Sequence, residues 1–205
     1  MGQAGTLVIA ITGTMTSGKA AVKYFLVDKG FKYIRHTDPI LQEGLKRKLD
    51  MKDRQNWIDV LVDMRKKSGL EVLSQLATKQ ITEGERYVIC PIRHPADIKY
   101  LKKKYDALVI FIDSQFDTRY TRTFLKELGG GMTKAEFKQK DDNENNPSGA
   151  DKKYLPNIAA CRDLSDIVID NDASLNDLNK NLTKFLEKRQ ITDIVDTGTF
   201  DDFEI

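Results

Sequence analysis

Residues 13–20 read GTMTSGKA, the spacing G-x-x-x-x-G-K at the end of an apolar run. Glycines at 13 and 18 let a loop wrap an anion with its backbone N–H groups. A helix N-terminus beneath such a loop adds a favourable dipole. Gly13, Thr14, Met15, Thr16, Ser17, Gly18, Lys19 and Ala20 are therefore the candidate phosphate cradle, with Lys19 reaching the β- and γ-phosphates of a nucleoside triphosphate. The next position departs from the pattern. A Ser or Thr hydroxyl there usually meets magnesium, and this chain has Ala20.

Other groups able to act on a phosphate follow further along. Asp38 precedes a proline just after an apolar segment, a turn position. Arg119 and Arg122 are three residues apart, so on a helix they share a face and can present planar donors to phosphoryl oxygens. Arg54, Arg65 and Arg93 are further cations, with a solvated helix face as the alternative for the first two. His36 and His94 have no partner at a recognised metal or nucleophile spacing. His36 reads as structural, while His94 stands beside Arg93 within reach of a substrate. Cys90 and Cys161 sit in apolar contexts and read as buried free thiols.

The elements that must position these groups alternate between two periods. Residues 6–12 (TLVIAIT), 31–36 (FKYIRH), 86–90 (RYVIC), 107–113 (ALVIFID) and 166–170 (DIVID) are short apolar or β-branched runs, as strands covered on both faces should be. Between them lie helical patterns, the longest from about Pro39 to Ile81, broken near Asp50–Asp53 and at Gly69. Trp57 and the methionines fit packing positions within such patterns. A helix from Ser114 or Asp113 to about Leu128 is expected to stop at Gly129–Gly131. Thr133-x-x-Glu136 and Ser174-x-x-Asp177 are capping boxes opening later helices. Residues 141–151 (DDNENNPSGAD) read as too polar to bury anything and are expected to form a mobile loop. Strands alternating with helices predict an α/β fold with a parallel sheet and helices on both faces. Its ligands would sit at the carboxyl ends of the strands.

Length and charge narrow the class. The 205 residues suffice for one domain with a sizeable core, taken here as 1–189. The segment 190–205 carries five acidic and no basic residues and reads as an acidic tail. A net charge of +2, from 33 basic and 31 acidic residues, argues against a general nucleic-acid binder. With no apolar stretch of spanning length and no signal-peptide pattern, a cytoplasmic protein without a membrane partner is expected.

Several segments beyond the loop resemble a family. DPILQEGLKRK (38–48), the run DRQNWIDVLVDMRKKSGLEVLSQLA, YVICPIRHPADIKYLKK, FIDSQFDTRYTRT and SDIVIDNDASLNDL follow one another in an order similar to that of the small P-loop kinases. The span 6–188 resembles the kinases of nucleotides and related metabolites, especially dephospho-coenzyme A kinases and deoxynucleoside monophosphate kinases. That resemblance implies a nucleoside-monophosphate-kinase type fold with strand order 2-3-1-4-5, ATP and Mg2+ as cofactors, and a small nucleotide-like acceptor. It also implies Asp38 facing the acceptor hydroxyl, Arg93 with Arg54 and Arg65 on the acceptor side, and Arg119 and Arg122 in a lid spanning about 114–151. Relatives carry an acid where this chain has Cys90, so two magnesium supports are missing. The metal assignment stays open, with Asp113 a carboxylate that could act through water. Either an active phosphotransferase or a nucleotide-binding pseudokinase, acting on a protein partner through its tail, accommodates these departures.

Overall fold

The computed structural model describes residues 5–126 and 131–191. Of the helix stop expected at Gly129–Gly131, Gly129 and Gly130 lie outside the described residues, as does the tail from residue 192 onward. Strands β1 (Leu7–Gly13), β2 (Lys32–Arg35), β3 (Arg86–Cys90), β4 (Leu108–Asp113) and β5 (Ile167–Asp170) fall where the apolar runs predict them. They form one parallel sheet in the order β2-β3-β1-β4-β5, as expected.

The helices fill the connections. α1 (Lys19–Asp28) follows the glycine-rich loop, and α2 (Asp38–Lys46), α3 (Arg54–Ser68) and α4 (Val72–Ala77) divide the long helical pattern at its predicted breaks. Asp53 caps α3 by accepting from the Gln55 N–H at 2.8 Å. α5 (Pro95–Tyr105), α6 (Phe116–Lys126), α7 (Lys134–Asn145), α8 (Ile158–Asp163) and α9 (Leu175–Lys188) complete the set among the described residues. Both capping boxes are present, at Thr133/Glu136 and Ser174/Asp177.

Why β1 is apolar throughout is visible in its two faces. Ile9 and Ile11 pack with Val22 and Leu26 of α1 and Leu178 and Leu182 of α9. Val8 and Ala10 face the opposite way, toward Ile98 and Leu101 of α5. Each fully buried aliphatic side chain of this kind stabilises the fold by roughly 1.5–3 kcal/mol. A third cluster, with Ile40, Val60, Leu61 and Val72, joins α2, α3 and α4 at the side of the sheet. It forms one wall of the cavity described below.

The polar segment 141–151 departs from its expected form. Residues 141–145 belong to α7, and Asp141 and Glu144 are buried. Counting polarity missed that a buried carboxylate is tolerable when an arginine from another element meets it. Phe137 anchors this helix, fully buried and edge-on to Phe116 and Tyr120 of α6 at centroid distances of 5.5 and 5.7 Å.

Candidate functional site

Residues 13–20 leave the central strand β1 and turn into α1 at the carboxyl edge of the sheet. Gly13 has φ +144°, and a Cβ there would stand 2.1 Å from the Ile112 carbonyl oxygen of β4. Gly18 has φ +99°, and its Cβ would meet the Asn171 amide at 2.2 Å. Both glycines are thus required by backbone conformation and by close approach. Asn171, just past β5, donates from Nδ2 to the Ser17 carbonyl at 2.8 Å and so pins the loop from the far side. The buried Ser17 hydroxyl has no hydrogen-bond partner among the described residues.

Lys19 folds back over its own loop. Its Nζ donates to the Gly13 carbonyl at 3.0 Å and to the Thr14 carbonyl at 2.5 Å. Burial, followed by the positive charge of Arg93, lowers its pKa to about 8. An ammonium held in this way is poorly solvated and near a second cation, so it gains strongly from an arriving anion. Ala20 is exposed on the first turn of α1.

The two arginines of α6 reach the loop differently. Arg119 is buried; its Nε donates to the Ser114 carbonyl at 2.9 Å and its Nη1 to the Met15 carbonyl at 3.2 Å. The same guanidinium grips Asp141 of α7 with two bonds, at 2.6 and 2.7 Å. Arg122 donates from Nη2 to the Asn171 carbonyl at 2.6 Å. Thr16 ties the loop to α6 by donating to the Arg119 carbonyl at 2.9 Å. Asp113, at the end of β4, accepts from the Thr14 hydroxyl at 3.3 Å and pairs with Arg162.

Beside the loop lies a cavity of about 760 Å³ at the carboxyl ends of β2 and β3. Arg35, Arg54, Arg93, Lys52 and Lys140 supply positive charge, Trp57 and Leu61 an apolar wall, and Glu144 a carboxylate. Glu144 accepts from Arg54 at 3.2 Å and also pairs with Arg93. Asp38 opens α2 at the rim; its neighbour Thr37 lines the cavity, and the Asp38 carboxylate lies 3.6 Å from Arg35.

Arg65 lies apart from these groups. It is buried, bonded to Asp97 at 2.8 Å and to the Tyr154 carbonyl at 2.6 Å, and does not line the cavity. Burial alone would raise the Asp97 carboxyl, but His36, Arg65 and Ser74 outweigh it and hold its pKa at about 2. His36 is structural as read from sequence, with its Nε2 2.9 Å from the Ser74 hydroxyl. His94 turns away from Arg93 to cap α5, and its ring meets the Lys153 carbonyl at 3.1 Å.

Asp141, Glu144, Asn171 and Arg162 escaped the sequence reading. The i, i+3 spacing of Asp141 and Glu144 after a capping box was an available signal for a shared helical face. Nothing local pointed to Asn171 or Arg162.

Neither position at which the resemblance implies a magnesium support carries one. Position 20 offers no hydroxyl, and Cys90 offers a buried thiol whose pKa burial pushes up to about 11. No cluster of three His, Cys, Asp or Glu fit to bind a metal occurs among the described residues. None of the described helices is long and apolar enough to cross a membrane.

No known protein-family profile matches the chain. A protein described as "UPF0200 protein" from Methanothermobacter thermautotrophicus is 28% identical over 142 residues, covering 67% of this chain and 72% of its own. Another so described, from Sulfurisphaera tokodaii, is 24% identical over 181 residues, covering 88% and 96%. Among solved structures, TT1252 from Thermus thermophilus superposes with a TM-score of 0.58 at 14% identity, over 90% of this chain and 98% of that one. Shikimate kinase from Acinetobacter baumannii, solved with shikimate, gives a TM-score of 0.54 at 12% identity, over 91% and 96%. At such identities the likeness is one of fold, and it does not single out dephospho-coenzyme A kinases. With its five parallel strands in the order 2-3-1-4-5 and a glycine-rich loop leading from the central strand into α1, the chain has a P-loop kinase fold.

Proposed function

We propose that this chain is an ATP-dependent phosphotransferase that moves the γ-phosphoryl group to a small, anionic, nucleotide-like acceptor such as dephospho-coenzyme A or a (deoxy)nucleoside monophosphate. The observation that carries the reading is the proximity of two sites. The Lys19 ammonium of the phosphate loop feels the charge of Arg93, which lines the neighbouring cationic cavity. A donor loop and an anion-accepting cavity side by side are what direct transfer between two phosphorylated ligands requires.

In this reading Lys19 leaves the Gly13 and Thr14 carbonyls for the phosphate oxygens of ATP. Arg119 and Arg122 supply guanidinium donors as charge spreads over the transferring group, and Arg93 and Arg54 hold the acceptor's anionic end. Trp57 offers a flat apolar surface to its body. For a hydroxyl acceptor such as dephospho-coenzyme A, Asp38 orients the hydroxyl and takes its proton as the new P–O bond forms and the bond to the departing ADP oxygen breaks. A monophosphate acceptor attacks through its own ionised phosphate oxygen and needs no base. Helices α6 and α7, within 114–151, act as the lid that excludes water. Magnesium, if bound, would be held mainly by the nucleotide's own phosphates and by water, since Ala20 and Cys90 offer it no oxygen ligand, and it would supply charge neutralisation there.

Ala20 and Cys90 favour one alternative, a nucleotide-binding pseudokinase, since both lack the groups that hold the metal's shell in working relatives. A transfer assay with ATP and magnesium against dephospho-coenzyme A and the (deoxy)nucleoside monophosphates separates the two. Product from one acceptor is expected. Tight ATP binding with no product from any acceptor would leave the pseudokinase reading.

A further inference from the structure

Helix α7 brings two buried carboxylates to the cations of the site. Asp141 and Glu144 lie three residues apart and so share a face of this helix. Asp141 takes both terminal nitrogens of Arg119, at 2.6 and 2.7 Å, while that guanidinium also touches the Met15 carbonyl of the phosphate loop. Glu144 takes Arg54 and Arg93, in the cavity beside Lys19. One helical face therefore spans the donor side and the acceptor side, offering an anion to each.

A planar carboxylate and a phosphate present oxygens to a guanidinium in the same forked geometry. We propose that α7 is an internal competitor of the substrates: Asp141 and Glu144 occupy the arginines that the phosphates must take, and ligand binding requires the helix to release them. The proposal rests on the phosphotransferase reading of the site.

The structural chemistry favours exchange over permanent anchorage. Among the described residues, Asp141 and Glu144 are met by arginine side chains, with no backbone N–H or hydroxyl donor. Phe137 holds the same helix to α6 by apolar contact with Phe116 and Tyr120, so α7 keeps an anchor when its carboxylates let go. An arginine that trades a carboxylate for a phosphate is never left buried without a counter-ion, and the exchange avoids the largest penalty of opening an ion pair. The competitor lowers affinity in return, and it keeps a cationic, half-open site from holding stray anions.

Calorimetric titration with magnesium-free ATP tests this. Asp141→Asn should bind ATP several-fold more tightly than the unmodified chain, and Glu144→Gln, whose arginines line the acceptor cavity, should do the same for inorganic phosphate titrated with ATP already bound. Asp142→Asn is the control. It removes the same charge from the same helix, but Asp142 is exposed and paired with Lys138 at 2.9 Å. Its ATP affinity should stay within about twofold, as befits an exposed pair. Equal or weaker binding of ATP by folded Asp141→Asn, together with equal or weaker binding of phosphate by folded Glu144→Gln, would overturn the proposal and make both residues supports for their arginines. Equal tightening by Asp142→Asn would overturn it too, leaving net charge as the cause. If unmodified chain and Lys19→Ala alike fail to bind ATP, the phosphotransferase reading falls and takes this proposal with it. Should the variants not fold, hydrogen exchange in the unmodified chain decides. ATP should lower amide protection across residues 134–145, and unchanged or greater protection would sink the idea.

Discussion

Arg65 and Arg119 each grip an aspartate from a distant helix, Asp97 at 2.8 Å and Asp141 at 2.6 Å, and all four side chains are buried. Their surroundings differ. Asp97 also accepts from the Ser74 hydroxyl at 2.8 Å and the Ser74 N–H at 3.3 Å, and His36 stands 3.3 Å away. Four groups from three parts of the chain thus converge on one carboxylate under a closed core. Around Asp141, among the described residues, the guanidinium of Arg119 alone supplies hydrogen bonds, and that guanidinium reaches on to the phosphate loop. The first pair is locked by redundancy and serves the fold. The second is a single exchangeable contact beside a binding site. The lesson is that the partners surrounding an ion pair, more than its length or burial, decide what the pair is for.

The strongest test acts on the locked pair. Asp97→Asn should cost about 3–5 kcal/mol, because it strips Arg65, Ser74 and His36 of their shared carboxylate at once, where Asp141→Asn strips Arg119 alone. Urea unfolding measures this, and ATP affinity of the folded fraction should not change. The contrast breaks if Asp141→Asn costs as much stability as Asp97→Asn.

Lys19→Ala comes next. It should weaken ATP binding by roughly 1.5–3 kcal/mol, the worth of charge-assisted hydrogen bonds, while shifting the unfolding midpoint little. Calorimetry and unfolding on one variant then show a residue that serves the ligand and hardly the fold. A large loss of stability with unchanged affinity would reverse that assignment.

The pH dependence is a smaller, more specific test. Burial and Arg93 lower the Lys19 pKa to about 8, and a phosphate prefers the charged amine. In the free protein the ammonium loses its proton as pH rises through that value. ATP affinity should therefore be level below about pH 8 and fall above it by up to ~tenfold per pH unit. Lys19→Arg should flatten the curve, because guanidinium stays protonated. A wild-type profile that stays flat through this range would mean that Lys19 does not meet the phosphates.

The smallest effect is expected at Ala20. Ala20→Ser should tighten binding of the magnesium–ATP complex a few-fold and leave magnesium-free ATP unchanged, by adding a hydroxyl ligand. Equal shifts with and without magnesium would place residue 20 away from the metal.

Much of the architecture was legible in the chain. The central strands β1, β3 and β4, covered on both faces, are apolar almost throughout, so runs such as TLVIAIT and RYVIC marked the sheet. The edge strands β2 and β5 keep exposed residues along their length. Local chemistry marked other boundaries: Asp53 at the start of α3, and the paired side chains of Thr133/Glu136 and Ser174/Asp177. The glycine-rich loop was legible for the same reason, because its requirements are backbone conformation and a lysine at fixed spacing.

Which arginine faces which partner was decided only by tertiary structure. Arg54, Arg65 and Arg93 looked alike as candidates for an acceptor pocket, yet Arg54 and Arg93 line the cavity while Arg65 is sealed against Asp97. The polar run after Lys140 gave no hint that Asp141 and Glu144 would be buried, since their partners lie 22 to 90 residues away. A helix or strand announces itself through the spacing of neighbouring side chains, so sequence determines it locally. The burial of a charge becomes tolerable only when an opposite charge arrives from another element, and that meeting exists only once the chain has folded.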